Sequence, residues 1–475
     1  MGFTAIWISP VVTNINSSGG DVGEAYHGFW SKDITTINTN MGTPDDLVAL
    51  SKALHDRDMY LMVDAVLNNM AYQGPGNAVQ YSIYTPFDSQ EYFHSFCYIS
   101  NYSNWTNAQQ CWLGDDVLSL PDLNTENPTV VSILDTWAKG MVSNYSVDGF
   151  RIDAAKHVAK PFWASFYPTV DIYMVGEVFD GDPETVCSYQ SNTQALPAVL
   201  NYAMWYALTD VFSTANESMS QLDIQYETVA SSCQDSTLLG TFTENQDVAR
   251  FANLTNDLSQ QKNAIVFALM SDGIPILYYG AEQAFATGGD PDNREALWLT
   301  KYDTSGELYK TIAAANIARN VIADRATYTY WSGYWTWKSK VILTNDNIMV
   351  LRKGYDYSVL AIVSNKGVGA PEMGPYAVGD TNFNEGDVIV DVVGCTKMTV
   401  GQYGELNITV PAGGKPMVYI PAKWITNTTA CPDLMKEMSA SDLTKTPSSA
   451  ITRNVPLQSS VSALLVLVMA AMALL

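Results

Sequence analysis

Seven apolar runs punctuate the first part of the chain, and their alternation with helical patterns constrains the fold more than any other feature. The runs are Phe3 to Ile8, Met59 to Leu67, Val147 to Ile152, Ile172 to Val178, Ala198 to Met204, Thr237 to Phe242 and Ile274 to Tyr279. Helical patterns fall between or after them at Pro44 to Arg57, Pro128 to Val142, Leu258 to Met270 and Glu307 to Ile322, the first behind Thr43 as N-cap. Strands alternating with helices predict a parallel α/β sheet. Three runs lead into acidic segments: GFRIDAAKH (Gly149 to His157), GEVFDGD (Gly176 to Asp182) and FTENQD (Phe242 to Asp247). One carboxylate behind a strand could be a helix cap or a turn residue. Three of them point to the rim where parallel α/β folds place their chemistry. Seven such strands predict an eight-fold barrel that lacks one strand.

The rhythm breaks twice. Met70 to Asp122 is rich in turn residues and holds two cysteines, which reads as a small insertion after the second visible strand. From about Thr327 the pattern becomes short alternating strands with Gly and Asn turns, a β-sandwich ending near Pro421. The expected organisation is barrel 1–69, insertion 70–122, barrel 123–326, sandwich 327–424, then a stalk and tail 425–475. Only 16% of the 475 residues are charged and 47% are hydrophobic, as in a folded protein. A net charge of -24 makes nucleic-acid binding untenable and suits a neutral substrate.

Six cysteines without a C-x-x-C pattern fit three disulfides, with fifteen pairings open on this basis alone. Eight Asn-x-Ser/Thr sequons, at Asn16, Asn101, Asn104, Asn144, Asn216, Asn253, Asn407 and Asn427, point to the secretory pathway. Ser448-Ser449-Ala450, a polar spacer and the apolar run Val461 to Leu475 form the pattern of a glycolipid-anchor signal. Membrane attachment is therefore expected through a lipid anchor only. The chain opens directly on the strand pattern GFTAIWISP, so a leader and a further strand are expected upstream of Met1.

The motifs AYHGFW, MYLMVDAVLNN, CWLGDD with SLPDL, SNYSVDGFRIDAAKH, GEVFDGDP, TLLGTFTENQD, DGIPILYYGAEQ and DPDNREALW make the chain resemble a fungal α-amylase of glycoside hydrolase family 13, of the secreted Aspergillus type. The resemblance runs from the first residue to about Cys431. It implies a (β/α)8 TIM barrel with an inserted domain B and a C-terminal antiparallel β-sandwich. It also implies the disulfides Cys97–Cys111, Cys187–Cys233 and Cys395–Cys431. Retaining cleavage of an α-glucosidic bond needs two carboxyls ~5 Å apart. By resemblance Asp153 is the nucleophile, Glu177 the general acid/base and Asp247 the transition-state stabiliser. Arg151, two residues before Asp153, should hold Asp153 ionised, whereas burial and neighbouring carboxylates should raise Glu177. The resemblance assigns His27, Phe29, Trp30, Asp64, Asn69, Lys156, His157, Gln246, Asp290 and Arg294 to substrate binding or to organising the site.

Departures from the family pattern carry their own expectations. Asn68-Asn69 stands where the family has Asn-His, Gln246-Asp247 where it has His-Asp, and Phe29 where it has a stacking Tyr. Two imidazoles are thus replaced by amides, which donate hydrogen bonds but cannot become cations. The family's Ca2+ ligands map to Asn68, Asp122 and the His157 carbonyl, with Gln109 in place of a Glu, so a weakened calcium site is expected. Lost histidines plus an anchor signal resemble the anchored amylase-like 4-α-glucanotransferases of fungi. The expected function is accordingly glucanotransfer between α-1,4-glucan or maltooligosaccharide donors and acceptors, by a monomer at the cell surface or wall. The alternatives are hydrolysis, as in a plain α-amylase, and a weakly active or non-catalytic glucan-binding wall protein.

Overall fold

The computed structural model describes residues 1–17, 23–191, 193–214, 217–327, 334–354 and 358–444. The sequon at Asn216 and the anchor pattern from Ser448 onward lie outside the described residues. The barrel strands are β1 (Ala5–Ile8), β2 (Tyr60–Ala65), β3 (Gly149–Ile152), β4 (Tyr173–Gly176), β5 (Ala198–Val199), β6 (Gly240–Phe242) and β7 (Ile274–Ile276). All neighbouring pairs are parallel, in chain order, with β5 and β6 joined by the Leu200–Gly240 bridge. Gly240 allows close approach here, since a Cβ would lie 2.9 Å from both Ile276 and Leu200. Among the described residues β1 and β7 pair on one side only, and Ile6 and Ile274 are exposed on those edges.

Local chemistry explains the helices. In α1 (Pro44–His55), Thr43 and Asp46 form a reciprocal capping box and Pro44 opens the first turn. In α3 (Pro128–Tyr145), Asn127 caps and Ser146 in the left-handed region closes. The other large helices are α4 (Lys160–Val170), α5 (Tyr202–Ser213), α6 (Met219–Ser232), α7 (Leu258–Met270) and α8 (Glu307–Thr327). The short α2 (Trp105–Gln110) lies in the insertion, beside a three-stranded sheet of Tyr72–Gln73, Leu118–Leu120 and Leu113–Gly114.

The run Ala198 to Met204, expected as one strand, divides: only Ala198–Val199 is strand, and Asn201 then caps α5 by accepting from the Met204 amide at 3.2 Å. Likewise Asp235 accepts from the Thr237 amide and folds Ser236–Leu238 into a 3-10 turn, so β6 begins only at Gly240.

The C-terminal part is antiparallel. Six strands run in the order Lys340–Thr344, Ile348–Lys353, Val359–Ser364, Met417–Pro421, Val388–Asp391 and Thr396–Thr399, and Met373–Val378 pairs with Leu406–Val410. Alternate residues feed two cores: Ile348, Val350 and Ile362 face the smaller sheet, whereas Met349, Leu351 and Val363 pack with α5, α7 and α8. All three disulfides join the pairs implied by the resemblance. Residues 425–444, expected to begin a stalk, are instead packed. Helices Pro432–Glu437 and Ala440–Thr444 follow Cys431, and Met438 and Leu443 join the core shared with the barrel helices. The apolar residues spaced among the Ser and Thr of this segment have a surface to cover.

Candidate active site

Register sets the carboxylates side by side. The Asp153 amide donates to the Ala65 carbonyl at the end of β2, and the Glu177 amide donates to the Ile152 carbonyl at the end of β3. Arg151 is fully buried within β3 and projects to the same side as Asp153. Its Nη1 donates to Asp153 Oδ1 at 2.7 Å and to both oxygens of Asp64 at 3.0 and 3.1 Å. Its Nη2 lies 2.9 Å from Glu177 Oε1 and 3.9 Å from Asp247 Oδ2. One guanidinium therefore bridges Asp153 and Glu177 and sets the two carboxylates side by side. Glu177 Oε2 also accepts from the Ala154 amide at 3.0 Å.

The charges are coupled. Burial first, then Glu177, push the Asp153 carboxyl up to about 6, against the pull of Arg151, so Asp153 remains mostly ionised at neutral pH. Burial and Glu177 push Asp247 up to about 7. Burial lowers the Arg151 guanidinium, but four surrounding carboxylates outweigh it and hold it firmly charged. His27 is lowered to about 4 by burial and by Arg294, hence neutral. Its Nδ1 accepts from the Phe29 amide at 3.0 Å, which leaves the proton on Nε2. His157 is lowered mainly by burial, and its Nδ1 donates to the Ala108 carbonyl at 2.9 Å, which leaves Nε2 as an acceptor.

Other expected residues gather around this centre. The His27 ring contacts Trp30 and Phe29, with centroids 4.6 and 5.8 Å away, and Phe29 lies 5.9 Å from the Arg151 guanidinium. Arg294 pairs with Asp290 at 2.9 Å, approaches Asp247 at 3.7 Å and donates to the Gln246 carbonyl. Gln246 carries a buried Nε2 with no partner. Lys156 is nearly buried and held by Asp180 at 2.7 Å, so its ammonium is already paired. Asn69 departs from expectation: it is buried, and its Nδ2 donates to the Met70 carbonyl at 3.1 Å.

Three groups escaped the sequence reading. The Trp7 indole N–H donates to Asp64 Oδ2 at 3.2 Å, and its ring centroid lies 5.5 Å from the Arg151 guanidinium. Behind that ring opens a cleft of about 550 Å3 bounded by Ile8, Val11, Met41 and Leu47, with none of Asp64, Asp153, Glu177 and Asp247 in its wall. Asn293, fully buried, donates to the carbonyls of Asn245, Gln246 and Val248 at 3.2, 3.0 and 2.7 Å and so fixes the loop that bears Asp247. Tyr202 accepts from Asn245 at 2.9 Å and reaches Glu177 Oε1 at 3.4 Å. Trp7 sits in an apolar run and Asn293 beside Arg294; neither position announces its partner.

Of the proposed metal ligands, Asn68 lies against Asp122, and Gln109 follows Ala108, whose carbonyl is bonded to His157. Asn68 Oδ1 is buried without a partner, as a cation ligand would be. Asp122 is buried, yet its Oδ2 is bonded to His94 Nδ1 at 2.5 Å, and His94 Nε2 is bonded to Glu126 at 2.7 Å. Gln109 Nε2 donates to the Tyr189 hydroxyl at 2.8 Å. Among the described residues no three His, Cys, Asp or Glu side chains form a metal-binding group.

Comparison with known proteins bears on this geometry. Residues 1–289 match the family model described as alpha amylase, catalytic domain, and residues 341–439 match alpha-amylase, domain C. The chain is 46% identical over 424 residues to an alpha-amylase of Saccharomycopsis fibuligera, covering 89% of this chain and 82% of that protein. It is 44% identical over 434 residues to alpha-amylase 2 of Schwanniomyces occidentalis, covering 91% and 83%. The solved structure of an alpha-amylase from Malbranchea cinnamomea superposes with a TM-score of 0.85 at 38% identity, covering 90% of this chain and 88% of that one.

Proposed function

This chain belongs to the alpha-amylase family as an α-1,4-glucan-active enzyme, and from that premise we propose that it hydrolyses α-1,4-glucosidic bonds with retention. Asp153 attacks the anomeric carbon and forms a covalent glycosyl-enzyme while Glu177 protonates the departing oxygen. Glu177, now a carboxylate, then takes a proton from water as the water oxygen bonds to the anomeric carbon and the bond to Asp153 breaks, which releases the sugar. Asp247 and Arg294 bind the distorted ring, neutral His27 donates through Nε2, and His157 accepts on the leaving-group side. The observation that carries this reading is the single Arg151 guanidinium spanning Asp153 and Glu177.

Transfer to a sugar hydroxyl is the second reading, and one observation favours it. The positions where the family has imidazoles hold Gln246 and the buried, internally bonded Asn69, so two contacts to the sugar are weaker. Relatives named as alpha-amylases favour hydrolysis as the principal outcome. Maltoheptaose decides: shorter products alone mark hydrolysis, and longer together with shorter ones mark transfer. Asp153→Asn should abolish both, and residual activity above about one part in a thousand would reject Asp153 as nucleophile.

For calcium, the orphaned Asn68 oxygen fits, but Asp122 is the sole carboxylate of the set and already bonds His94. Calcium affinity falls with carboxylate count, so weak binding is proposed. A chelator should leave the melting temperature almost unchanged, and a large drop would overturn this. The three disulfides support an extracellular location, and the C-terminal sequence supports a glycolipid anchor. Among the described residues no helix is long and apolar enough to cross a membrane.

A further inference from the structure

The sequons are not equivalent once folded. Asn253 spends its Nδ2 on the Ala286 carbonyl at 3.0 Å. Asn144 lies in the last turn of α3, which feeds the end of β3 remote from the carboxylates. Asn101-Tyr102-Ser103 and Asn104-Trp105-Thr106 differ from both. They are consecutive, and all six residues are exposed. Asn101 Oδ1 accepts from the Ser103 amide at 3.0 Å, and Asn104 Oδ1 caps α2 by accepting from the Asn107 amide at 3.2 Å. Both side chains are thus oriented through oxygen, and among the described residues neither Nδ2 has a protein partner.

This segment is also a wall of the site. The Tyr102 ring meets the His157 ring edge-on, with centroids 5.9 Å apart. Three residues past Trp105, the Ala108 carbonyl accepts the hydrogen bond from His157 Nδ1, as described above. Trp105 itself packs 6.0 Å from Tyr189.

We propose that the segment 101–106 is N-glycosylated at Asn101 and Asn104, and that these glycans fence the His157 side of the cleft against bulky glucan. In the modification, the Asn Nδ2 displaces a lipid pyrophosphate from the anomeric carbon of an oligosaccharide donor. An N–C bond forms as the C–O bond to phosphate breaks, and the nitrogen loses a proton. The donor and its transferase belong to the secretory pathway. The fence role rests on the α-glucan reading above.

The test uses the full chain directed through the secretory pathway of a yeast. Glycopeptide mass is compared for the parent, Ser103→Ala, Thr106→Ala and the double variant. These substitutions remove the sequons but keep the Asn104 cap and the Asn101 turn. Each single variant should lose one glycan. In the double variant, kcat/KM on long amylose relative to maltoheptaose should rise by about threefold or more. An unmodified 101–106 peptide in the parent overturns the proposal. Loss of glycans with an unchanged ratio overturns the fence. A glycosylated parent that turns over neither glucan sinks the α-glucan reading and the fence with it, while the modification stands.

Discussion

Trp7→Phe isolates a contact that no motif records. The indole N–H is one of the donors that hold Asp64, the others coming from Arg151 Nη1. Phenylalanine keeps an aromatic ring beside the guanidinium, so the cation–π contact largely survives and only the N–H is lost. A hydrogen bond to a charged acceptor contributes ~1.5–3 kcal/mol, and 3.2 Å is long, so the lower end applies. Asp64 then holds Arg151 less firmly, and Arg151 orients Asp153 and Glu177 together. A loss of ~1.5 kcal/mol at the transition state is roughly tenfold in rate. Trp7 contacts none of Asp153, Glu177 or Asp247 directly, so kcat should fall about tenfold with KM nearly unchanged. The assay is initial-rate release of reducing ends from maltoheptaose across a range of concentrations, with the melting temperature as control. Unchanged kcat would refute the reasoning. A raised KM at constant kcat would show instead that Trp7 binds sugar.

Gln246→His should raise hydrolysis relative to transfer more than Asn69→His does, because Asn69 is buried and bonded to Met70. The double mutant should not be additive if both positions serve one sugar, as proposed above; an unchanged product ratio on maltoheptaose would place the partition elsewhere. Stability should fall as pH rises. Asp391, held by three backbone amides without a cation, is pushed up to about 6, and Asp153 and Asp247 to about 6 and 7, mainly by burial. A carboxyl whose folded pKa exceeds its unfolded value stabilises below the unfolded value and loses that contribution as pH passes the folded one. For Asp391 the loss between about pH 4 and 6 is on the order of 3 kcal/mol. His27, lowered to about 4, opposes this only below about pH 6.5. Melting should therefore occur several degrees higher at pH 5.5 than at pH 8, and the reverse order would refute the assignment.

Much of this protein was legible in the chain because its signals are local. Alternating apolar runs and caps such as Thr43-Pro44 with Asp46 are written within a few residues, and they specify parallel strands with helices between them. The spacing Arg151–Asp153 guarantees that both project to one side of a strand. Other features depend on partners distant in sequence. An all-apolar run such as Ala198 to Met204 has no period that distinguishes strand from helix; the caps and the packing surface decide. The segment 425–444 looks like a spacer until the core offers Met438 and Leu443 a place. Trp7 on Asp64, Asn293 beneath the Asp247 loop, His94 on Asp122 and Tyr102 against His157 join residues 57, 45 to 48, 28 and 55 positions apart. Sequence alone determined which chemical groups are present and which strand ends carry them. Tertiary structure decided which donor each buried carboxylate receives, because burial leaves a charge only the partners that packing brings within about 3 Å.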